Sequence, residues 1–466
     1  MIQIVKIVSG KFGLDKAILF TSSANILRAF GSIVSVILVV KYLTGVEQGF
    51  YYTFGSIVAI QIFFELGLNS IITQYVAHET SNLKWESDNV LCGESKYMSR
   101  LSSLLHFGVK WYLYFASVLL FSLIVVGLIF FNRYDTTNGT VSWMAPWILL
   151  ATGTGLNLLL SPVVAFIQGL GKVKEIAQMV LFQQIIGLGM VWGGLIFGAK
   201  LFVPGIGSLI GVIFLVTLLM AGKYYVILRN IWRINIVEKV SYFSEIFPYQ
   251  WKIALSWISG YFIFQLFNPV LFATEGAVVA GQMGMTLAAL NGILSLSLAW
   301  ITTKVPLFSG LIAQKNYKQL DNIFNKTLKQ SVIINFASLV FLALLIFLIR
   351  FFNIAISGNP LGNRFLNYFP LFCMMLPILL NHFVAAWATY LRCHKKEPFL
   401  IISLAGGVLS LISTLLLGKY FGVMGVTTGY CIITISLFPW ANYIFRTKKT
   451  EWHKTTQIIN IELKNV

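Results

Sequence analysis

Apolar residues run in blocks of about twenty or more along nearly the whole chain, with short polar segments between them. A block of that length is what an α-helix needs to cross a hydrocarbon core. Twelve can be marked: 17–40, 49–72, 111–131, 144–167, 176–198, 203–222, 253–273, 277–301, 331–352, 368–391, 399–418 and 423–445. The pattern predicts an all-α polytopic membrane protein of about twelve transmembrane helices. An even number puts both termini on one side. The first two blocks stand out because each carries one ionisable residue deep inside, Arg28 and Glu65. They read as one wall of a polar cavity, with the other helices closing around it.

The polar segments choose the side. With the N-terminus inside, 27 of the 34 Lys and Arg fall in cytoplasmic segments and six, Lys41, Arg133, Lys200, Arg350, Arg364 and Lys419, fall outside. The remaining one is Arg28. Such a bias is the positive-inside pattern, with both termini cytoplasmic. It also accounts for the net charge of +18, which in a soluble chain would point to nucleic acid. With 57% hydrophobic and 11% charged residues the chain has too little charge to clothe a soluble surface, so no nucleic-acid partner is expected.

Outward loops are short. Inward ones are longer and partly amphipathic. Leu320, Ile323, Phe324, Thr327 and Leu328 share one helical face, which predicts a helix lying at the cytoplasmic interface. The segment 80–106 holds the matching place in the first half. Cys373 and Cys431 lie in apolar blocks, and Cys92 and Cys393 in loops assigned to the cytoplasm, so no disulfide framework is expected.

The two halves repeat. The turn Gln168-Gly169-Leu170-Gly171-Lys172-Val173-Lys174-Glu175 corresponds to Arg392-Cys393-His394-Lys395-Lys396-Glu397, and Gly198–Gly205 corresponds to Gly418–Gly425, both at an offset of about 220 residues. This predicts a six-helix lobe at 1–222, a cytoplasmic basic linker at 223–252, a second six-helix lobe at 253–445 and a cytoplasmic tail at 446–466. Six helices per half make the repeats parallel, and parallel repeats are a transporter signature.

Arg28 sits about 11 residues into its block, roughly 16 Å deep at 1.5 Å per residue. A charge at that depth marks a site by default. A guanidinium suits phosphate oxygens, and Glu65 is either its ion-pair partner or a protonation site for ion coupling. Softer polar groups fill out the candidate substrate cavity: Asn25, Gln265, Asn268, Asn291 and His382. Lys304 is placed to meet a lipid phosphate at the inner leaflet. A lone histidine in an apolar run is more often a packing residue, so His382 carries two readings. Pro269 predicts a kink. Gly189 and Gly193, Gly207 and Gly211, and Gly425 and Gly429 predict close helix packing. There is no GxxxxGK loop, GxSxG elbow, HExxH or CxxC, so neither an enzyme nor a metal or other cofactor is indicated.

The segment Phe63-Phe64-Glu65-Leu66-Gly67-Leu68, the turn Gln168-Gly169-Leu170-Gly171-Lys172 and the two six-helix halves together resemble the polysaccharide exporters of the MOP (multidrug/oligosaccharidyl-lipid/polysaccharide) superfamily, Wzx-type O-antigen flippases in particular. The resemblance implies a MATE-like fold in a bacterial inner membrane. It implies alternating-access movement of undecaprenyl-diphosphate-linked oligosaccharide, coupled to H+ or Na+, among membrane lipid and other polysaccharide assembly proteins. Arg28 matches the first-helix arginine of related lipid II flippases, whose further second-half arginines have no counterpart within a span here. A MATE-like drug or cation antiporter is the alternative. A polysaccharide polymerase or ligase would need large outward loops that the chain lacks.

Overall fold

The twelve blocks become helices, but not always where the blocks begin and end. The computed structural model describes residues 16–87, 89–137, 139–356, 359–394 and 396–462. The side chains of 16–22, 24–26, 28, 29, 249, 252, 313, 356, 359 and 454–462 lie outside that description. In chain order the helices are α1 (Lys16–Tyr42), α2 (Gly45–Val58), α3 (Ile62–Glu65), α4 (Leu68–Thr80), α5 (Ser95–Tyr134), α6 (Met144–Gly169), α7 (Val173–Ile196), α8 (Val203–Ala221) and α9 (Lys223–Trp232). They continue with α10 (Phe247–Phe264), α11 (Phe267–Glu275), α12 (Ala277–Thr302), α13 (Val305–Ala313), α14 (Tyr317–Phe351), α15 (Tyr368–Arg392) and α16 (Leu400–Glu462). Two small hairpins, β1 (Leu83–Ser87) with β2 (Val90–Gly93) and β3 (Ala355–Ile356) with β4 (Asn359–Pro360), are antiparallel. Cys92 lies exposed in the first of them, its thiol donating to the Glu86 carboxylate at 2.9 Å.

Among the described residues ten helical stretches are long and apolar enough to cross a membrane, besides the shorter apolar Phe30–Tyr42. One of the ten, Leu400–His453, has 54 residues. That is roughly 80 Å of helix, far more than a hydrocarbon core. Gly422, with φ 56° and ψ −138°, breaks it into two spans. The total is then twelve.

Packing divides the chain into two units, one built on residues 54–258 and the other on 28–53 with 259–466. In the first unit, α6 is the central helix, contacting α4, α5, α7 and α8. Phe54, Phe131 and Trp147 fill one end, Phe54 edge-on to Phe131 and tilted against Trp147, and the Trp147 indole N–H donates to the Leu123 carbonyl at 3.0 Å. Gly207 and Gly211 of α8 approach α7 at Gly187 and Gln183, while Gly189 and Gly193 face open space. The small-residue packing expected of that second pair is therefore absent among the described residues.

In the second unit α12 contacts α11, α14 and α15, and α15 packs on α16. Residues 28–53, inside the 1–222 lobe of the sequence reading, pack here for a local reason. Gly49 lies so close to Ala277 that a Cβ would strike its backbone, and Gly281 meets Gly49 in the same way. Arg364, buried in the turn Leu361–Arg364, adds polar ties. Its Nη2 donates to the Leu43 carbonyl at 2.8 Å and its Nη1 to Gln48 Oε1 at 3.3 Å, while Gln48 Nε2 donates to the Gly281 carbonyl at 2.7 Å.

Three expectations change. The second block is not one helix: a 3-10 turn at Ala59–Gln61 and left-handed residues Leu66 and Gly67 interrupt it. The amphipathic segment 320–328 is no separate interfacial helix. It runs unbroken into the membrane block as α14, with Leu320, Phe324 and Thr327 on its buried face. Its 3.6-residue stripe continues the register of the block that follows, so nothing stops the helix between them. The segment 80–106 is a β-hairpin followed by the first turns of α5. The Pro269 kink is present as a gap at Gln265 and Leu266 between α10 and α11. Proline lacks the N–H that would bond the carbonyl four residues back.

Candidate functional site: a polar cavity in the first unit

The break in the second block builds the site. Glu65 ends α3, the chain turns through Leu66 (φ 46°) and Gly67 (φ 69°), and α4 begins at Leu68. A left-handed leucine costs about 1–2 kcal/mol. Gly67 avoids that cost, and a Cβ there would strike the side chain of Ile253. Across the break the Ser70 hydroxyl donates to the Gly67 carbonyl at 2.7 Å, holding the first turn of α4. The turn brings half-buried Glu65 beside Asn69, whose Nδ2 donates to Glu65 Oε1.

From Asn69 a chain of uncharged polar groups spreads onto α6. The Ser161 hydroxyl is shared between Asn69 Oδ1 at 3.3 Å and the Leu158 carbonyl at 2.8 Å. The Thr73 hydroxyl is shared between the Asn69 and Ala165 carbonyls, each at 3.0 Å. On α7, Gln183 Nε2 reaches Asn157 Oδ1 at 3.5 Å. Together with Gln168 and Trp257 these groups line a cavity of about 580 Å³. The side-chain amides of Gln74 and Gln168, also at its wall, have no hydrogen-bond partner among the described residues. The described lining contains no Lys, Arg or His.

The other candidates fare differently. The main chain of Asn25 and Arg28 runs within α1, but their side chains lie outside the described residues. Gln265, Asn268, Asn291, His382 and Lys304 belong to the second unit. Gln265 is half-buried at the gap before α11, Asn268 is buried in the first turn of α11, and Asn291 is half-buried on α12. Lys304 is exposed between α12 and α13. His382 is fully buried among three helices. Its Nδ1 lies 3.2 Å from the Ser297 hydroxyl and its Nε2 3.0 Å from that of Ser331, and Asn335 Nδ2 donates to Ser297 at 2.9 Å. It lines neither the polar cavity nor the apolar groove of the second unit. Its packing role prevails because both ring nitrogens are engaged by neighbouring helices.

That groove, about 400 Å³, runs between α1, α12 and α14, lined by Ile33, Ile37, Ile293, Phe341 and Leu345, with Lys41 at its wall. Outside the spans, Arg100 ties two acids of the first unit, Glu79 at 2.9 Å and Glu245 at 2.6 Å. Burial alone would raise the Glu245 carboxyl. The hydrogen bonds from Arg100 and the Ser241 N–H outweigh that and hold it below its usual value.

The residues that attention to charge passed over are Asn69, Asn157, Ser161, Gln168, Gln183 and Trp257. A signal for three of them was available. Asn157, Ser161 and Gln168 fall four and seven residues apart, one face of a helix, in a block that is otherwise apolar. Asn69 stands one turn beyond Glu65.

No protein-family profile matches the chain, and no curated protein matches it. Solved structures do. One is the inward-facing conformation of a multidrug resistance MATE family transporter of the MOP superfamily, at 11% identity, covering 93% of this chain and 99% of that one with a TM-score of 0.60. Another is the lipid II flippase MurJ in an inward closed conformation, at 14% identity, 96% and 93% coverage and a TM-score of 0.61. A third is a MATE in complex with MaL6, at 12% identity, 93% and 97% coverage and a TM-score of 0.54. The chain is thus an all-α, multi-pass membrane protein with the MATE-like fold of about twelve helices in two six-helix lobes.

Proposed function

We propose that the chain is a flippase that carries undecaprenyl-diphosphate-linked oligosaccharide across a bacterial inner membrane by alternating access. The observation that carries this reading is the polar cavity of the first unit. A bilayer-spanning bundle keeps polar side chains inside only where they pair or meet a polar cargo. Here amides and hydroxyls gather around an open volume of about 580 Å³, and the side-chain amides of Gln74 and Gln168 have no partner among the described residues. Sugar hydroxyls both donate and accept, as amides and hydroxyls do. The likeness in fold to a lipid II flippase supports a lipid-linked cargo.

In this reading Arg28 takes the diphosphate, Asn25, Gln265, Asn268 and Asn291 offer further polar groups to the cargo, Lys304 meets the headgroup at the inner leaflet, and His382 stays a packing residue. Glu65 is the site of coupling to H+ or Na+, its occupancy passed to the cavity through Asn69. The termini are cytoplasmic. Deleting the protein should abolish surface polysaccharide and leave lipid-linked units on the inner leaflet. Restoring it with Arg28→Ala should not rescue export, although the variant reaches the membrane. Normal surface polysaccharide with Arg28→Ala ends the reading.

One observation favours a second reading. The carboxyl of Glu65 beside a cavity without a described cation is also what a MATE-like drug or cation antiporter would use. Loss of the protein would then change drug resistance and leave surface glycan intact, and Glu65→Gln would be more harmful than Arg28→Ala.

A further inference from the structure

The cavity of the first unit carries more than a place for sugar. It carries a charge preference. We propose that it takes uncharged, hydroxyl- or acetamido-bearing sugars and rejects sugars that carry a carboxylate, an inference that rests on the flippase reading and narrows its substrate class.

The argument is a count of what the walls offer. Asn69, Asn157, Gln168 and Gln183 present amides, Ser161 a hydroxyl and Trp257 a half-buried indole. Amides and hydroxyls each hold both a donor and an acceptor, so they match a sugar hydroxyl or an acetamide whichever way it points. An indole face suits the C–H surface of a pyranose ring. A carboxylate, in contrast, accepts only, so the amide and hydroxyl oxygens of the walls offer it no bond.

Strong carboxylate binding in a half-dry site needs a guanidinium or ammonium. The described lining has none. A carboxyl adjoins the polar chain, that of Glu65, bonded to Asn69. If it is charged, it repels a second carboxylate brought up to Asn69, an effect on the order of tenfold or more in affinity at the dielectric of a partly wet interior. If it is protonated, the described walls are neutral and supply no counter-charge, and in the flippase reading Arg28 is already engaged by the diphosphate. The preference therefore has one sign in both protonation states.

The test uses the full chain in lipid nanodiscs and two disaccharides that differ in one carboxylate: N,N′-diacetylchitobiose and the glucuronic acid–N-acetylglucosamine disaccharide. Binding is read by calorimetry. The neutral sugar should bind at least tenfold more tightly, and Trp257→Ala should weaken it. Gln183→Arg should narrow or reverse the ratio, with Asn157→Lys as the substitute if that variant fails to reach the membrane. Equal or tighter binding of the acidic sugar, sensitive to Trp257→Ala, overturns the charge preference and leaves the flippase reading intact. If neither sugar binds, or if binding ignores Trp257→Ala, the cavity is not a glycan site and both fall.

Discussion

Two polar clusters built from the same kinds of residue lie inside this membrane protein, and they do opposite things. In the second unit Ser297, Ser331, Asn335 and His382 are all fully buried and bond one another across three helices. In the first unit the Ser161–Asn69 and Gln183–Asn157 bonds are looser, at 3.3 and 3.5 Å, and lie around a cavity. Polarity inside a membrane block is thus not by itself a sign of function. What separates a fastener from a receptor is whether open volume adjoins the polar groups.

That contrast can be broken by experiment. The largest effect should come from His382→Leu. It removes the imidazole's bonds to the Ser297 and Ser331 hydroxyls, each of which keeps a backbone carbonyl to donate to, at about 0.5–1.5 kcal/mol for each bond, and adds the repacking of a fully buried side chain. Thermal unfolding in detergent should show a clear drop, while transport per correctly folded molecule stays near normal. A variant with unchanged stability but no transport would turn His382 into a receptor group and erase the distinction.

Gly67→Ala comes next. The left-handed conformation and the crowding against Ile253 should cost about 1–3 kcal/mol and also shift Glu65 against Asn69, so stability and export fall together. Export surviving a measured loss of stability would separate the break from the site.

Trp257→Ala should have the reverse signature of His382→Leu. Export should fall roughly tenfold, equivalent to about 1.4 kcal/mol, with little movement of the melting temperature, because the indole is only half-buried.

The smallest effect concerns pH. The Glu245 carboxyl, held below its usual value by Arg100 and Ser241, contributes stability that is fully present above the ordinary carboxylate range. It is lost as pH falls through the lowered folded value. Melting temperature should decline as the solution is acidified below about pH 4.5. Glu245→Gln should flatten that decline, and a slope unchanged by the substitution would remove the tie as its cause.

The fold was legible because length and hydropathy are nearly sufficient in a bilayer. A block of twenty apolar residues has few alternatives to a helix that satisfies its own backbone. The interruption at Leu66 and Gly67 was not legible, since leucine gives no warning of a left-handed conformation and only the neighbouring glycine hints at a turn. The continuity of α14 was hidden because its amphipathic start and its apolar remainder look like different elements. The cavity was missed for an energetic reason. Charges such as Arg28 and Glu65 are expensive to bury and draw the eye, whereas Asn, Gln and Ser are cheap enough to scatter. Only their common face on α6 marks them as a set.

The thiols supply a built-in handle on sidedness. Cys373 and Cys431 are buried and Cys393 half-covered, which leaves Cys92, on the hairpin after α4, as the fully accessible one. Its bond to Glu86 raises its pKa, so alkylation is slow at neutral pH and quickens as the medium turns alkaline. A maleimide that cannot cross lipid then tags this position only from the side it faces, in inside-out vesicles if the hairpin is cytoplasmic as the flippase reading has it and from the opposite face if it is not, fixing the orientation of every span without engineering a single residue.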